Sequence, residues 1–264
     1  MKTIVVLAIS CILSIFVVSG CTLFSHDSIS ESPTKESNML NDRQKKILEK
    51  EGLPTDYNEL SLSKKIAIEA IEDMFQYLDK QYPDETFEYA GYISQSTLES
   101  EQLLVNSKYG KVTVYRDVSG SSPVYKDDFK EAKASDIYAS VINDYLSASY
   151  NDEDYLVYVV VSKCEGQPDY KSIIKSCNAN TTVFVRQKAG DSCFQSIASS
   201  VSDYIGKNSD KASSAADIFL VKDEEYGLQL PEQYENNIDM GIFIKQMSYY
   251  HRENGEEKLY EVER

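Results

Sequence analysis

The sequence is poor in the residues on which metal and acid–base chemistry usually depend. Among 264 residues there is no tryptophan, and there are only two histidines and five cysteines. Five cysteines are too few for a disulfide-rich scaffold, and two histidines leave little material for zinc ligation or general-base catalysis. Basic residues are also outnumbered, with 27 Lys and Arg against 43 Asp and Glu and a net charge of −16. Because nucleic-acid-binding proteins use basic patches to displace counterions from phosphate, we expect no nucleic-acid partner.

The motifs of common enzyme families are absent as well. None of the eleven glycines forms part of a dinucleotide-binding G-x-G-x-x-G, a phosphate-binding P-loop or a G-x-S-x-G nucleophile elbow, and the zinc-protease motif H-E-x-x-H does not occur. Hydrophobic residues make up 42% of the chain and charged residues 27%, which is typical of a soluble globular protein. We therefore expect a folded domain without cofactor or metal, and no catalytic residue is indicated.

The longest apolar run lies at the N-terminus. It covers Ile4–Val18, 15 residues interrupted only by Ser10 and Ser14, and it follows the basic residue Lys2. A membrane span needs about 20 apolar residues, so this run has the length of a signal-peptide core instead. The pattern indicates an exported protein.

The four residues at the end of this run are Val18, Ser19, Gly20 and Cys21, and they resemble the lipobox of bacterial lipoprotein precursors. In a lipobox an aliphatic residue and two small residues precede a cysteine, whose thiol receives a diacylglycerol and becomes the first residue of the mature chain. The resemblance implies that residues 1–20 are a lipoprotein signal peptide. It also implies that Cys21, carrying diacylglycerol and a further fatty acid such as palmitate, anchors the protein to the extracytoplasmic side of the cell membrane. A plain secretory signal or an N-terminal anchor helix is the alternative.

A polar segment separates this cysteine from the rest of the chain. Residues 22–38 contain five serines and one proline and show no apolar periodicity. This composition predicts a flexible tether with a root-mean-square length of about 20–25 Å. With Cys21 included, the tether spans 21–38, and a folded extracytoplasmic domain is expected over 39–264.

A helical hairpin is predicted directly after the tether. Asn41 or Asp42 can cap a first helix, and Gly52 is the residue expected to end it. A second helix, with apolar residues at helical spacing, is expected between residues 61 and 82. The short connection between the two helices favours an antiparallel pair.

Strand and helix patterns alternate in the rest of the chain. The continuous β-branched and aromatic run Tyr155–Val161 predicts a strand that is buried on both faces near the centre of a sheet. Asn254-Gly255 is a typical two-residue turn leading into a last strand. Further strands are predicted at 86–95, 111–118, 181–187, 216–222, 240–250 and 258–262, and amphipathic helices at 132–147 and 192–206, whereas 99–108 stays undecided. These elements predict an α+β fold, with an N-terminal helical hairpin beside a mostly antiparallel sheet and two further amphipathic helices.

Two stretches of this predicted order resemble each other. A strand ending at Arg116 precedes a helix that ends with Asp144-Tyr145-Leu146, and a strand ending at Arg186 precedes a helix that ends with Asp203-Tyr204-Ile205. An internal β-β-α-β repeat would explain the pattern. Chance similarity between ordinary amphipathic elements is the alternative.

The N-terminal region also carries a family resemblance. Arg43–Tyr57 (RQKKILEKEGLPTDY), followed by Lys64–Ile68 and Met74–Tyr82, is similar to the opening of a family of uncharacterised Firmicutes lipoproteins. In that family too, a lipobox and a polar tether precede mixed helix and strand segments. The resemblance covers roughly positions 1–95 and implies a location, but no activity, ligand or site residue.

Three cysteines follow the lipobox cysteine. An exported protein permits one disulfide, and we assign it to Cys164 and Cys177, which lie at the end of one predicted strand and before the next. Cys193 lies beside Phe194 on an amphipathic helix, and we expect it to be buried as a small hydrophobic residue. A cysteine nucleophile paired with His251, the sole histidine of the folded part, is the alternative.

Twenty tyrosines and several acidic clusters remain to be explained. Strand propensity and helical stripes account for most of the tyrosines. An exposed platform for a peptide or glycan is the alternative, with Tyr249, Tyr250 and Tyr260 as its best members. The acidic clusters, at 127–128, 151–154 and 223–225, are expected to be solvated loops, because consecutive carboxylates diverge where calcium ligands would converge.

Together these patterns predict a lipid-anchored extracytoplasmic protein that binds an unknown protein or glycan partner, or assists another protein, without catalysis. Catalysis requires a nucleophile–base pair, a metal cluster or a cofactor loop, and the sequence shows none of them. Two alternatives stay open. One is a cell-envelope hydrolase that uses carboxylates from separate loops. The other is a solute-binding lipoprotein, although the chain lacks the usual length and regular β-α alternation of that class.

Overall fold

The computed structural model describes residues 39–95, 100–209, 213–227, 242–252 and 257–262. They belong to one compact unit, Met39–Arg264. The predictions on the signal peptide, the lipobox, the tether and the Asn254-Gly255 turn lie outside the described residues. Within the described ranges, no helix has both the length and the apolar character needed to cross a bilayer.

The described chain has an α+β fold with two sheets. In chain order the elements are α1 (Asp42–Lys50), α2 (Leu62–Gln81), β1 (Glu88–Ile93), β2 (Glu101–Ser107), β3 (Gly110–Asp117), β4 (Val124–Asp127), α3 (Phe129–Ser147), β5 (Tyr155–Cys164), α4 (Ile173–Ser176), β6 (Cys177–Arg186), α5 (Asp191–Asn208), β7 (Ser214–Val221), β8 (Phe243–His251) and β9 (Glu257–Val262). The first sheet has the strand order β1-β2-β3-β4 and the second has the order β5-β6-β7-β8-β9. The predicted fold class is confirmed, and the single sheet of that prediction is corrected to two.

Helices α1 and α2 form the N-terminal pair that the sequence predicts. The side chain of Asn41 accepts a hydrogen bond from the backbone N–H of Gln44, whose own side chain accepts from the N–H of Asn41, so a capping box starts α1. Gly52 follows the end of α1 with a φ of 67°, a conformation that favours glycine. The apolar sides of both helices pack on the first sheet, for example through Leu48 and Phe75.

The first sheet is antiparallel throughout its four described strands. Its second strand lies in the region that the sequence left undecided. In β2, Leu103 and Val105 are fully buried and alternate with partly exposed residues. Val112 and Val114 of β3 belong to the same core, beneath α1 and α2. The strand β2 is therefore stabilised by burial beneath the helices, which the local sequence pattern does not show.

The second sheet is mixed. Strands β6 and β7 are parallel, whereas the other neighbouring pairs are antiparallel. Two parallel strands require a crossover connection, which α5 provides between β6 and β7. Helices α3 and α5 pack on one face of this sheet and form the largest core with it, including the fully buried Tyr138, Val183 and Ile218.

The position of β5 corrects the prediction of a strand buried on both faces. β5 is at one edge of the second sheet, not at its centre. Val157 and Val159 are buried with α3, but Val160 points to the opposite face and is 42% exposed. The strand with a continuous buried run is its neighbour β6, in which residues 181–185 are all buried. The sequence of β5 does not distinguish an edge strand from a central strand, because its exposed residue Val160 is apolar. Alternating burial is visible in a sequence only when the exposed positions carry polar residues.

The similarity between the two β-β-α-β stretches has no counterpart in the sheet topology. In the first stretch, β4 and α3 follow β3, and α3 leads from the first sheet to β5 in the second, whereas β6, α5 and β7 belong to the second sheet alone. The matching tyrosines of the two stretches, Tyr145 and Tyr204, contact each other instead. Their rings are stacked with centroids 4.1 Å apart, which helps to pack α3 against α5.

Candidate binding face

The face of the second sheet opposite α3 and α5 carries the candidate site, and we call it the outer face. Paired residues of neighbouring strands point to the same side, so the strand register arranges its side chains in rows. The central row is Tyr158, Thr182, Asp217, Ser248 and Tyr260; one flanking row contains Leu156, Phe184, Phe219 and Gln246, and the other contains Val160, Asn180, Ala215, Tyr250 and Lys258. The outer face therefore changes from apolar to polar along its strands.

Stacked aromatic rings fill the apolar end of the outer face. The ring centroids of Phe219 and Phe243 are 4.3 Å apart, and Phe184 stacks on both at about 6 Å. All three rings are buried. Tyr226 packs against this cluster, and burial raises the pKa of Tyr226 to about 12. The polar residues of the central row therefore lie next to a tightly packed aromatic cluster.

A hydrogen-bonded carboxylate lies at the centre of the outer face. Oδ1 of Asp217 accepts a hydrogen bond from Nε2 of Gln246 at 3.0 Å and another from the hydroxyl of Ser248. Gln246 also donates to Oγ of Ser248 at 3.1 Å. These contacts hold the carboxylate in place between Tyr158 and Tyr260, the two ends of the central row.

A shallow cavity of about 580 Å³ lies at the polar end of the outer face. Side chains that line it include Ser162, Asn178, Asn180, Tyr250 and Arg252. The guanidinium carbon of Arg252 is 5.0 Å from the ring centroid of Tyr250. Hydroxyl, amide and guanidinium groups beside an aromatic ring can hydrogen-bond and stack on a polar ligand such as a sugar or a peptide.

Of the three tyrosines that the sequence suggests as a binding face, only two lie on it. Tyr250 and Tyr260 are on the outer face, whereas Tyr249 is 5% exposed and belongs to the core on the opposite face. Successive side chains of a strand point to opposite faces, so Tyr249 and Tyr250 cannot share a surface. Tyr158 and Asp217 were missed, because only the strand register reveals that they join the same row.

The chain matches no family model and no curated protein. Among solved structures, it is similar to a DUF5037 family protein from Ruminococcus gnavus, with 12% sequence identity and a TM-score of 0.44. The match covers 72% of this chain and 94% of that chain. A likeness at this level carries no argument about function, so the candidate site rests on its own geometry.

Several other tyrosines have a structural task. Seven of them donate hydrogen bonds to carboxylates: Tyr57 to Glu69, Tyr77 and Tyr82 to Asp127, Tyr89 to Glu51, Tyr92 to Glu101, Tyr155 to Asp152, and Tyr170 to Asp144. For Tyr77 and Tyr82, burial and the hydrogen bond to Asp127 raise the pKa above its usual value. A large part of the tyrosine content therefore joins structural elements and does not form a binding platform.

The acidic cluster at 127–128 is more ordered than the expected solvated loop, whereas residues 151–153 are exposed in a turn, as expected. Asp127 accepts the hydroxyls of Tyr77 and Tyr82 at 2.6 and 2.8 Å. Asp128 accepts the backbone N–H of Thr113 at 2.7 Å, and burial raises the pKa of Asp128. Asp223 accepts the backbone N–H of residue 188. Within the described ranges, no group of three or more His, Cys, Asp or Glu side chains is arranged to hold a metal ion.

The cysteines occupy two different parts of the second sheet. The structure has a disulfide between Cys164 and Cys177, which join the end of β5 to the start of β6. Cys193 is a free thiol, partly buried at the start of α5, and its pKa is raised by burial. Asp191, the first residue of α5, forms an ion pair with Lys245 of β8, so the start of α5 lies near this lysine. His251 is six residues further along β8. A strand rises by about 3.3 Å per residue, so this separation places Cys193 and His251 roughly 20 Å apart along the sheet.

Proposed function

We propose that the protein is a bacterial lipoprotein, anchored through Cys21 on the extracytoplasmic side of the cell membrane, that binds a protein or glycan partner without catalysis. The anchor rests on the sequence Val18-Ser19-Gly20-Cys21 at the end of a signal-peptide-like run. The outer face supports the binding role. Its single most telling feature is the oriented carboxylate of Asp217 in one row with two tyrosines.

The outer face has the composition of a surface that recognises polar molecules. Asp217, Gln246 and Asn180 provide planar groups that form paired hydrogen bonds with hydroxyls or peptide groups. Tyr260 is 42% exposed, so its ring is accessible for stacking at one end of the row. Such a face favours an extended ligand that lies across the strands.

Lipid attachment is tested by metabolic labelling. Cells that express the protein are grown with labelled palmitate, and the same is done for Cys21→Ser. We expect label in the wild type only, since the thiol is the acceptor of the diacylglycerol. Equal labelling of both proteins, or of neither, would rule out the anchor.

Binding at the outer face is tested by hydroxyl-radical footprinting of tyrosines, read by mass spectrometry, on intact cells and on the purified protein. If a partner covers the outer face in cells, the oxidation of Tyr260 should fall there by at least twofold. Tyr115 of β3 is a matched control, because it is 40% exposed against 42% for Tyr260. Tyr250→Ala should restore the oxidation of Tyr260 in cells. The binding role at this face fails if Tyr260 is oxidised equally in both preparations.

A further inference from the structure

A second concavity, of about 660 Å³, runs along the outer edge of β5, and we call it the β5 groove. Its walls are residues 157–162 of β5, the first turns of α3 from Asp128 to Ala139, and residues 109–111 at the turn between β2 and β3. β5 is the terminal strand of the second sheet, and no other strand in the described ranges pairs with this edge. The groove therefore exposes the backbone of a sheet edge.

The backbone of β5 points its hydrogen-bonding groups into this groove. The N–H of Val161 donates to Oγ of Ser135 on α3 at 2.9 Å, so it is directed away from β6. In an antiparallel pair the backbone groups of alternate residues point to the same side, and the register with β6 is regular from Tyr155 to Val161. The N–H and C=O groups of Val157 and Val159 are therefore also directed into the groove. An edge of this kind can accept an added strand, and the contact between Ser135 and Val161 limits its length at one end.

The two sides of the β5 groove differ in chemistry. On the side of α3, the carboxylates of Asp128, Glu131 and Asp136 line it, and Lys111 is the one cation among its described lining residues. On the other side lie Tyr158 and Val160 of the outer face, which are partly exposed. Side chains of an added strand alternate between these sides. Those opposite Val157 and Val159 meet the carboxylates, and those opposite Tyr158 and Val160 meet an apolar surface.

We propose that the β5 groove binds an extended peptide segment with alternating cationic and apolar side chains, which adds to β5 as a sixth strand of the second sheet. Charge complementarity selects the cationic positions, and the unpaired edge provides the backbone hydrogen bonds. The β5 groove adjoins the outer face, since Ser162 lines both the groove and the cavity beside Tyr250, but Tyr250 itself does not line the groove. Binding in the groove does not depend on lipid attachment.

The probe is a fluorescent peptide of six residues with the sequence Lys-Val-Lys-Val-Lys-Val and blocked ends, titrated with the full-length protein in detergent and followed by fluorescence anisotropy. We expect saturable binding that weakens as the salt concentration rises, because the paired charges are partly exposed. The peptide Glu-Val-Glu-Val-Glu-Val should bind at least tenfold more weakly. If the lysine peptide does not bind saturably, or binds no better than the glutamate peptide, the proposal is overturned.

Backbone methylation of the peptide tests strand addition without changing the protein. Methylating the N–H groups of the three lysines removes donors on one edge of the peptide, and methylating those of the three valines removes donors on the other edge. A loss of at least tenfold confined to one series supports an added strand. Loss in the lysine series means a strand antiparallel to β5, and loss in the valine series means a parallel one. Equal effects in both series overturn the proposal.

Substitutions locate the binding site. The double variant Glu131→Gln, Asp136→Asn should weaken binding of the lysine peptide about fivefold or more, since two nearby exposed charges are lost. Asp203→Asn is the matched control, because Asp203 is an exposed helical carboxylate on α5 paired only at the surface with Lys207. Tyr250→Ala should leave peptide binding unchanged. If Tyr250→Ala weakens it as much as the double variant does, the peptide binds at the outer face, and the groove proposal fails while the proposed function stands.

Discussion

Asp127 joins α2 to the first sheet and to α3 through three hydrogen bonds. Its carboxylate, at the end of β4, accepts hydrogen bonds from the hydroxyls of Tyr77 and Tyr82 at 2.6 and 2.8 Å. It also accepts the backbone N–H of Phe129 at 3.0 Å, at the start of α3. One side chain thus joins the last turns of α2, the edge strand β4 and the beginning of α3.

The expected cost of removing this carboxylate follows from its three partners. A hydrogen bond to a charged group contributes about 1.5–3 kcal/mol, and partial exposure of these groups places each near the lower limit. Tyr77→Phe and Tyr82→Phe should therefore each lower the free energy of unfolding by about 1–1.5 kcal/mol. Asp127→Ala leaves two half-buried hydroxyls and one N–H without their acceptor, and it should cost about 3–5 kcal/mol.

Urea denaturation followed by circular dichroism measures these differences. Tyr115→Phe is the control, because Tyr115 is exposed on β3, and its effect should stay within about 0.5 kcal/mol. In the background of Asp127→Ala, Tyr77→Phe should have almost no further effect, because its acceptor is already gone. The reasoning is refuted if Asp127→Ala costs no more than the control, or if Tyr77→Phe costs the same in both backgrounds.

Three further predictions concern the disulfide, a buried ion pair and alkaline pH. Replacing both Cys164 and Cys177 by serine should lower the free energy of unfolding by about 2–3 kcal/mol, because the bond closes a loop over a separation of 13 residues; an unchanged urea midpoint would contradict this. Arg116→Met should cost about 3 kcal/mol in the same assay, since Nη1 of Arg116 lies 2.7 Å from the buried carboxylate of Glu101. Lys108→Met should have little effect, because the Lys108 side chain is 59% exposed in its ion pair with Glu85. Burial raises the pKa of Tyr138 to about 12, whereas its pKa in the unfolded chain is 10.0. The contribution of Tyr138 to the free energy of unfolding is therefore complete below pH 10 and is lost as the pH rises to about 12. Urea midpoints should therefore fall between about pH 10 and pH 12, and by less in Tyr138→Phe; equal decreases in both proteins would argue against this cause.

The parts of the fold that depend on local chemistry could be predicted from the sequence. The capping residue Asn41 and the left-handed Gly52 determine the limits of α1 through interactions within a few residues. The stripes of α3 and α5 are predicted in the same way, because the period of a helix is visible in one segment. The number of sheets could not be predicted, since it depends on which strands pair over long distances.

The candidate site, like the fold, could be predicted from the sequence only in part. Tyr250 and Tyr260 are aromatic residues in a recognisable terminal hairpin, and the sequence pointed to both. Tyr249 was wrongly grouped with them, because the choice between the two faces of β8 depends on where α5 packs. Asp217 was overlooked, because a single Asp within an apolar strand has meaning only when Gln246 and Ser248 of the neighbouring strand lie opposite.

The parallel pairing of β6 with β7 has a consequence for the order in which the second sheet assembles. Strands β5 and β6 are close in sequence, as are β8 and β9, whereas the whole of α5 separates β6 from its parallel partner β7. Contacts over longer sequence separations form more slowly, because their loop entropy must be overcome first. In a chain that emerges N-terminus first, the β5–β6 pair and its disulfide can therefore form while β7 is still missing. During that interval the inner edge of β6 has no partner and is open to pairing with another chain. The sooner α5 docks and brings β7 to this edge, the shorter that interval is expected to be.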